Sequence, residues 1–92
     1  MPAVCRVGDA HACGAVASSG SGSVFANGIS VHRCGDTDVH CGATTQAECS
    51  GTVFANGIGV ARIGDNHAGD PCPHPPSPQS EGSPNVFADE GV

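Results

Sequence analysis

The chain has 92 residues, with 14 Gly, 7 Pro and 3 Phe as its only aromatics, so it makes one small domain (1–92) with neither long helices nor a sizeable core. Its net charge of −6, with no Lys, speaks against nucleic acid, whose footprint is a basic patch, and lends no support to adsorption on anionic lipid. No apolar run is long enough to span a bilayer, and Met1-Pro2-Ala3-Val4-Cys5-Arg6 lacks the basic and apolar regions of a signal peptide, so if the protein leaves its cell it does so by another route. In chain order, residues 3–9 are predicted as a strand ending in Gly8-Asp9, and 10–23 as a Gly- and Ser-rich loop. Residues 24–36 are predicted as a β-hairpin turning at Asn27-Gly28, because a type I′ turn needs φ > 0 at both central residues. A second loop (37–52), a second hairpin (53–65, turning at Asn56-Gly57) and a third loop (66–85) follow. The third loop holds six of the seven Pro and is expected to be irregular or polyproline-like.

The hairpin string repeats. Val24-Phe25-Ala26-Asn27-Gly28 through Arg33-Cys34-Gly35-Asp36 returns as Val53-Phe54-Ala55-Asn56-Gly57 through Arg62-Ile63-Gly64-Asp65. A third copy is split: its first half is Val86-Phe87-Ala88-Asp89-Glu90, and its second half is Val4-Cys5-Arg6-Val7-Gly8-Asp9. Repeats of this kind define a fold before any local reading does. Pairing the chain ends gives three equivalent hairpins around a pseudo-threefold axis and removes exposed strand edges. Phe25, Phe54 and Phe87 share one repeat position, and Arg6, Arg33 and Arg62 share another, each three residues before an Asp. The Phe are expected to form a small axial or inter-hairpin core. Each Arg–Asp pair is expected to brace a strand end as an exposed ion pair contributing roughly 0–1 kcal/mol.

Six Cys stand at 5, 13, 34, 41, 49 and 72, beside five His. An even count in a short chain fits a disulfide framework in a secretory setting; without a signal peptide, free thiols or metal ligands are the simpler expectation. Cys34, matching Val7 and Ile63, reads as a small buried hydrophobe. Cys5 lies on a strand, where a disulfide to a neighbouring hairpin stays open.

The strings Gly22-Ser23-Val24-Phe25-Ala26-Asn27-Gly28, Arg33-Cys34-Gly35-Asp36, Ser50-Gly51-Thr52-Val53-Phe54-Ala55-Asn56-Gly57, Ala61-Arg62-Ile63-Gly64-Asp65, Gly82-Ser83-Pro84-Asn85-Val86-Phe87-Ala88 and Arg6-Val7-Gly8-Asp9 are spread along the chain from Arg6 to Ala88. In cyclic register they resemble the PAAR-repeat proteins. The resemblance implies an all-β, cone-shaped fold of short hairpins that caps the trimeric β-helical spike (VgrG-like or phage tail spike) of a contractile injection machine, one copy per trimer. It implies a structural, non-enzymatic protein at the tip of a phage tail or type VI secretion apparatus. Such a protein is made in the cytoplasm, delivered by the machine and touches the target membrane transiently. Neither nucleic acid nor a small-molecule substrate is expected as a partner. The three-part repeat suits that role, since it can offer three like surfaces to three identical chains, and binding would stabilise so small a fold.

The resemblance also implies one structural Zn²⁺ near the apex, with iron as second choice, typically held by three His and one Cys. The ligand candidates sit in the loops after each Gly-Asp: His11 in the first, His40 in the second, and His67, Cys72 and His74 in the third. One assignment takes His11, His40 and His67 with a Cys as fourth ligand. The other takes His40, Cys72 and His74 with one ligand from the first loop, where Cys13-Gly14 stands at the family's ligand position. A closed tetrahedral N/S site is the usual structural arrangement. His32, on the strand at the position of Cys5 and Ala61, is expected to lie remote from the apex. The competing readings are a disulfide-rich or zinc-stabilised small secreted binding module and, with least support, a zinc hydrolase, for which so short a chain offers little to build a cleft.

Overall fold

Both Asn-Gly pairs make the turns that their backbone freedom suits. In the computed structural model, which describes residues 2–40, 42–68 and 77–88, Asn27 and Gly28 have φ of 57° and 76°, and Asn56 and Gly57 have 56° and 78°. The first turn joins β2 (Phe25–Ala26) to β3 (Ile29–Ser30), with Phe25 opposite Ser30. The second joins β6 (Phe54–Ala55) to β7 (Ile58–Gly59), with Phe54 opposite Gly59. The third hairpin is assembled from the two ends of the chain. Ala3 pairs with Phe87, and the Ala88 amide donates to the Pro2 carbonyl at 3.0 Å. The same flanking bond recurs in all three: Val31 to Val24 at 3.1 Å, Val60 to Val53 at 3.0 Å and Val4 to Val86 at 3.0 Å.

Three backbone bonds close these hairpins into a ring. The Cys5 amide donates to the Ala61 carbonyl (2.9 Å), Ala61 to His32 (2.8 Å), and His32 back to Cys5 (3.0 Å). A second set runs outside it, with Val7 donating to Ser30, Cys34 to Gly59 and Ile63 to Ala3, all at 2.9–3.0 Å. Cyclic order across both sets is what a pseudo-threefold axis means in hydrogen bonds. The described residues contain no helix, and the protein is all-β.

Side chains repeat the symmetry. Ser21, Ser50 and Ser83 are buried, and each Oγ accepts from the two backbone amides that lead into a Phe-bearing strand. Such local bonds fix the entry of the chain where no ladder partner is available. Each repeat Arg forms a bidentate pair with its Asp; the Nε to carboxylate distances are 3.0 Å for Arg6–Asp9, 2.8 Å for Arg33–Asp36 and 2.8 Å for Arg62–Asp65. The same carboxylates also accept the Arg backbone amides. These are not the exposed pairs expected from sequence: Arg62, Asp65 and Asp9 are buried, and fork-to-fork geometry makes them strong. Burial raises the Asp36 pKa, but the Arg33 guanidinium beside it outweighs that and holds the carboxyl below its usual range.

The core is made of small residues. Val4, Ala26, Val31, Ala55, Val60 and Ala88 pack together, whereas Phe25, Phe54 and Phe87 are 55%, 56% and 49% exposed. The expected Phe core is therefore corrected. Successive strand residues face opposite sides, and where three hairpins crowd one axis only the Ala side of each Phe-Ala step fits inside.

The connections are more regular than predicted. The segment 37–52 holds an antiparallel pair, β4 (Thr37–His40) and β5 (Gly42–Thr45), with β1 (Val16–Ala17) on the far side of β4. Residues 3–9 in turn form single-residue bridges instead of a continuous strand, Ala3 to Phe87, Val4 to Arg62 and Arg6 to Val31, because each residue in turn meets a different hairpin around the ring. Cys34 is joined to Cys49 by a disulfide, so it is neither a free thiol nor a simple hydrophobe. Cys5 and Cys13 are free.

Candidate functional site

Beyond each Gly-Asp the chain turns onto the axis. The residue two places after each Gly-Asp is His11, Asp38 or His67. These three pair with Gln79, Ala17 and Gln46 in cyclic order, and their exposures are 2%, 0% and 0%. They form a second buried layer beside the ring of Cys5, His32 and Ala61. Of the set expected as His11, His40 and His67, His11 and His67 stand at equivalent positions of this layer, and the side chain of His40 lies outside the described residues. The equivalent position in the second loop belongs to Asp38, and His40 stands two residues further, at the end of β4 opposite Gly42. Counting two residues from each Gly-Asp would have identified Asp38 from sequence.

The polar atoms of this layer converge on one carboxylate. His11 Nδ1 lies 2.9 Å from the Ser77 carbonyl and Nε2 3.1 Å from Asp38 Oδ1. His32 Nδ1 lies 2.7 Å from the Ser19 carbonyl. Its Nε2 is 3.0 Å from the same Oδ1, a charge contact without hydrogen-bond geometry. Carbonyl oxygens only accept, so each Nδ1 carries a proton and each Nε2 confronts the carboxylate. His32 is therefore part of the axial cluster.

Charge follows geometry. Burial raises the Asp38 pKa, but the contacts from His11 and His32 outweigh it and pull the carboxyl down to about 2. For His32 burial lowers the pKa, and the Asp38 and Ser19 oxygens overcome this to raise it. Burial pushes the Cys5 thiol up, leaving it inert as a nucleophile. Asp38 Oδ2, Gln46 Oε1 and both amide atoms of Gln79 are buried without a hydrogen-bond partner among the described residues. The axis interior is thus polar.

His67 continues the cluster outward. Its ring meets the His11 ring edge-on, with centroids 4.6 Å apart, and its Nε2 lies 3.4 Å from the Sγ of half-buried Cys13. Two ligands of one tetrahedral zinc, with Zn–S about 2.3 Å and Zn–N about 2.0 Å, stand about 3.5 Å apart; Cys13 and His67 fit that spacing. The other first-loop candidate, His11, has Nδ1 against the Ser77 carbonyl and Nε2 facing Asp38 Oδ1. Among the described residues no three His, Cys, Asp or Glu are grouped to hold a metal ion. Cys72 and His74, and the side chain of His40, lie outside the described residues.

Fold and site together define a closed, pseudo-threefold all-β protein with a polar histidine–aspartate axis. Compared with known proteins, the chain matches no family model and no curated sequence.

Proposed function

We propose that this protein is the structural tip of a trimeric β-helical spike, seated one copy per trimer on a contractile injection machine. The observation that carries the reading is the threefold repetition of exposed apolar groups. Phe25, Phe54 and Phe87 are about half exposed, with Val24, Val53 and Val86 beside them at 37–38%. Exposed apolar sets on so small a protein mark contact surfaces. Three related sets around one axis suit a partner built from three identical chains. Cys13 and His67 are the described half of a tetrahedral zinc site in this reading, with Cys13 as the first-loop ligand, and the metal would tie the first and third loops together. The single disulfide between described residues gives the secreted-module reading a footing, but the free thiols of Cys5 and Cys13 weigh against a disulfide-rich framework.

Native mass spectrometry of the protein with a trimeric β-helical spike tests the proposal, with a complex of one chain per trimer as the expected result. Phe25→Ser/Phe54→Ser/Phe87→Ser should abolish that complex while changing stability by only a few tenths of a kcal/mol per exposed site. A wild-type protein that ignores its cognate spike, or a triple variant that binds it normally, refutes the reading.

A further inference from the structure

We propose that the Cys34–Cys49 disulfide is a reversible thiol–disulfide latch on the loop that inserts Asp38 into the axis. It is independent of the spike-tip reading.

The bond sits where the other two repeats are built differently. Cys34 occupies the repeat position of Val7 and Ile63. Cys49 occupies that of Gly20 and Gly82, as the guanidinium contacts show: Arg62 Nη2 donates to the Cys49 carbonyl as Arg33 does to Gly20 and Arg6 to Gly82. In those two repeats the glycine lies directly beneath the apolar side chain. A Cβ added at Gly20 would stand 2.6 Å from the Val31 carbonyl oxygen and 3.0 Å from Val7 Cγ2; one at Gly82 would stand 3.0 Å from the Val4 oxygen and 3.2 Å from Ile63 Cγ1. A side chain at Gly20 is excluded by the Val31 backbone, and one at Gly82 is crowded. The remaining repeat makes room with Gly59, standing where the others have Ser30 and Ala3. A Cβ at Gly59 would overlap the Ser50 carbonyl oxygen and lie 2.9 Å from Cys49 Sγ. Three departures from the repeat, at 34, 49 and 59, thus fall together and serve one bond.

What the bond encloses is specific. It spans a separation of 15 residues that contains β4, β5 and the fully buried Asp38. Besides the disulfide, the closing end of this loop is held by hydrogen bonds that include the Gln46 amide on the Asp36 carbonyl (2.9 Å), the Gly35 amide on the Gln46 carbonyl (2.9 Å), the Ala47 and Glu48 amides on Asn66 (both 3.1 Å), the Ala68 amide on Thr45 (2.8 Å) and the Asn66 amide on Glu48 Oε1 (2.9 Å). Both sulfurs belong to half-buried residues, within reach of a small dithiol. A thiolate of the dithiol attacks one sulfur to give a mixed disulfide, and its second thiol displaces that bond. Two electrons and two protons pass to Cys34 and Cys49, which become thiols, and the dithiol leaves as its cyclic disulfide. An oxidised dithiol reverses the exchange. With the bond open, separation of residues 36–48 from the body becomes a local equilibrium, and Asp38 leaves His11 and His32 whenever it occurs.

Hydrogen exchange on the full chain, read by mass spectrometry with and without dithiothreitol, tests this. Closing a loop of about 15 residues corresponds to roughly 100-fold in the opening equilibrium. Reduction should therefore accelerate exchange of the segment 37–47 by roughly that factor, while the ring amides of Cys5, His32 and Ala61 change by less than about threefold. The variant Cys34→Val/Cys49→Gly, which copies the other repeats, should show no response to dithiothreitol. Unchanged exchange on reduction, equal acceleration in all three repeats, or a variant that responds as the wild type does would overturn the latch. Should the variant fail to fold, the contrast between segments in the wild type decides alone.

Discussion

Asp38→Asn is the sharpest perturbation of the axis. It keeps the shape of the side chain and one acceptor oxygen, but removes the charge on which His11 Nε2 and His32 Nε2 converge at 3.1 and 3.0 Å. The Asp38 pKa falls from an ordinary 3.8 to about 2, which at about 1.4 kcal/mol per unit gives about 2 kcal/mol of stabilisation at neutral pH. Breaking a buried pair outright costs about 3–5 kcal/mol, so about 2–4 kcal/mol is expected for the amide. That is a large share of the 5–15 kcal/mol typical of a domain, and about 10–25 °C in Tm for a chain of this size. Calorimetry is the suitable assay, because the chain has no Trp or Tyr to report by fluorescence. The direction with pH is equally specific. A carboxyl with a depressed folded-state pKa stabilises fully above its unfolded value, near 4, and that stabilisation disappears as pH falls towards 2. His32, whose pKa is raised, stabilises fully below about 6.5, its ordinary value, and loses this as pH climbs through the folded one. The wild type should thus lose this increment between about pH 4 and 2, and Asp38→Asn should not. A variant within about 0.5 kcal/mol of wild type at pH 7, or one with an unchanged acid limb, would refute the account of the axis.

Other outcomes follow from the same structure. Arg62→Ala strands Asp65 in a buried site and should cost about 3–5 kcal/mol in urea unfolding, whereas Arg33→Ala, whose pair is more open at 16% and 11% side-chain exposure, should cost roughly half as much. Gly28→Val and Gly57→Val each force a β-branched residue to a φ near 77° and should each destabilise by about 1–3 kcal/mol, equally, because the two turns are equivalent. Under the zinc proposal, Cys13→Ser and His67→Ala each eliminate stoichiometric zinc measured by elemental analysis, and chelation lowers Tm in the wild type but not in either variant.

Much of this architecture was legible because the repeat supplies its own alignment. Asn-Gly at equal offsets marks the turns, Arg three before Asp marks the braces, and the split third copy requires the ends to meet, as Ala3 and Phe87 do. The interior was not legible from residue character. A large aromatic usually seeks burial, but three hairpins around one axis leave room for Ala26, Ala55 and Ala88 and turn each Phe outward. The pair β4–β5 is not legible in the sequence because Thr-Asp-Val-His and Gly-Ala-Thr-Thr lack the strong turn signal of the other hairpins. The place of Asp38 was obscured by chemistry: His and Cys draw attention as ligand types, whereas position in the repeat is what puts Asp38 on the axis. The disulfide depends on which loop returns beside which strand, and spacing along the chain does not encode that.

The pairing of Pro2–Val4 with Val86–Ala88 has a consequence for how the protein can be rewired. A ring in which every hairpin repeats the same bonds has no privileged first strand. Joining the ends through an Asn-Gly linker and cutting the chain at Asn27-Gly28 or Asn56-Gly57 gives a circular permutant with the same contacts in a different order. The permutants would differ chiefly in which hairpin must be closed over the longest stretch of chain, a term that grows only slowly with length. Their folding rates would report which third of the ring assembles last, and their native states would be the same closed body.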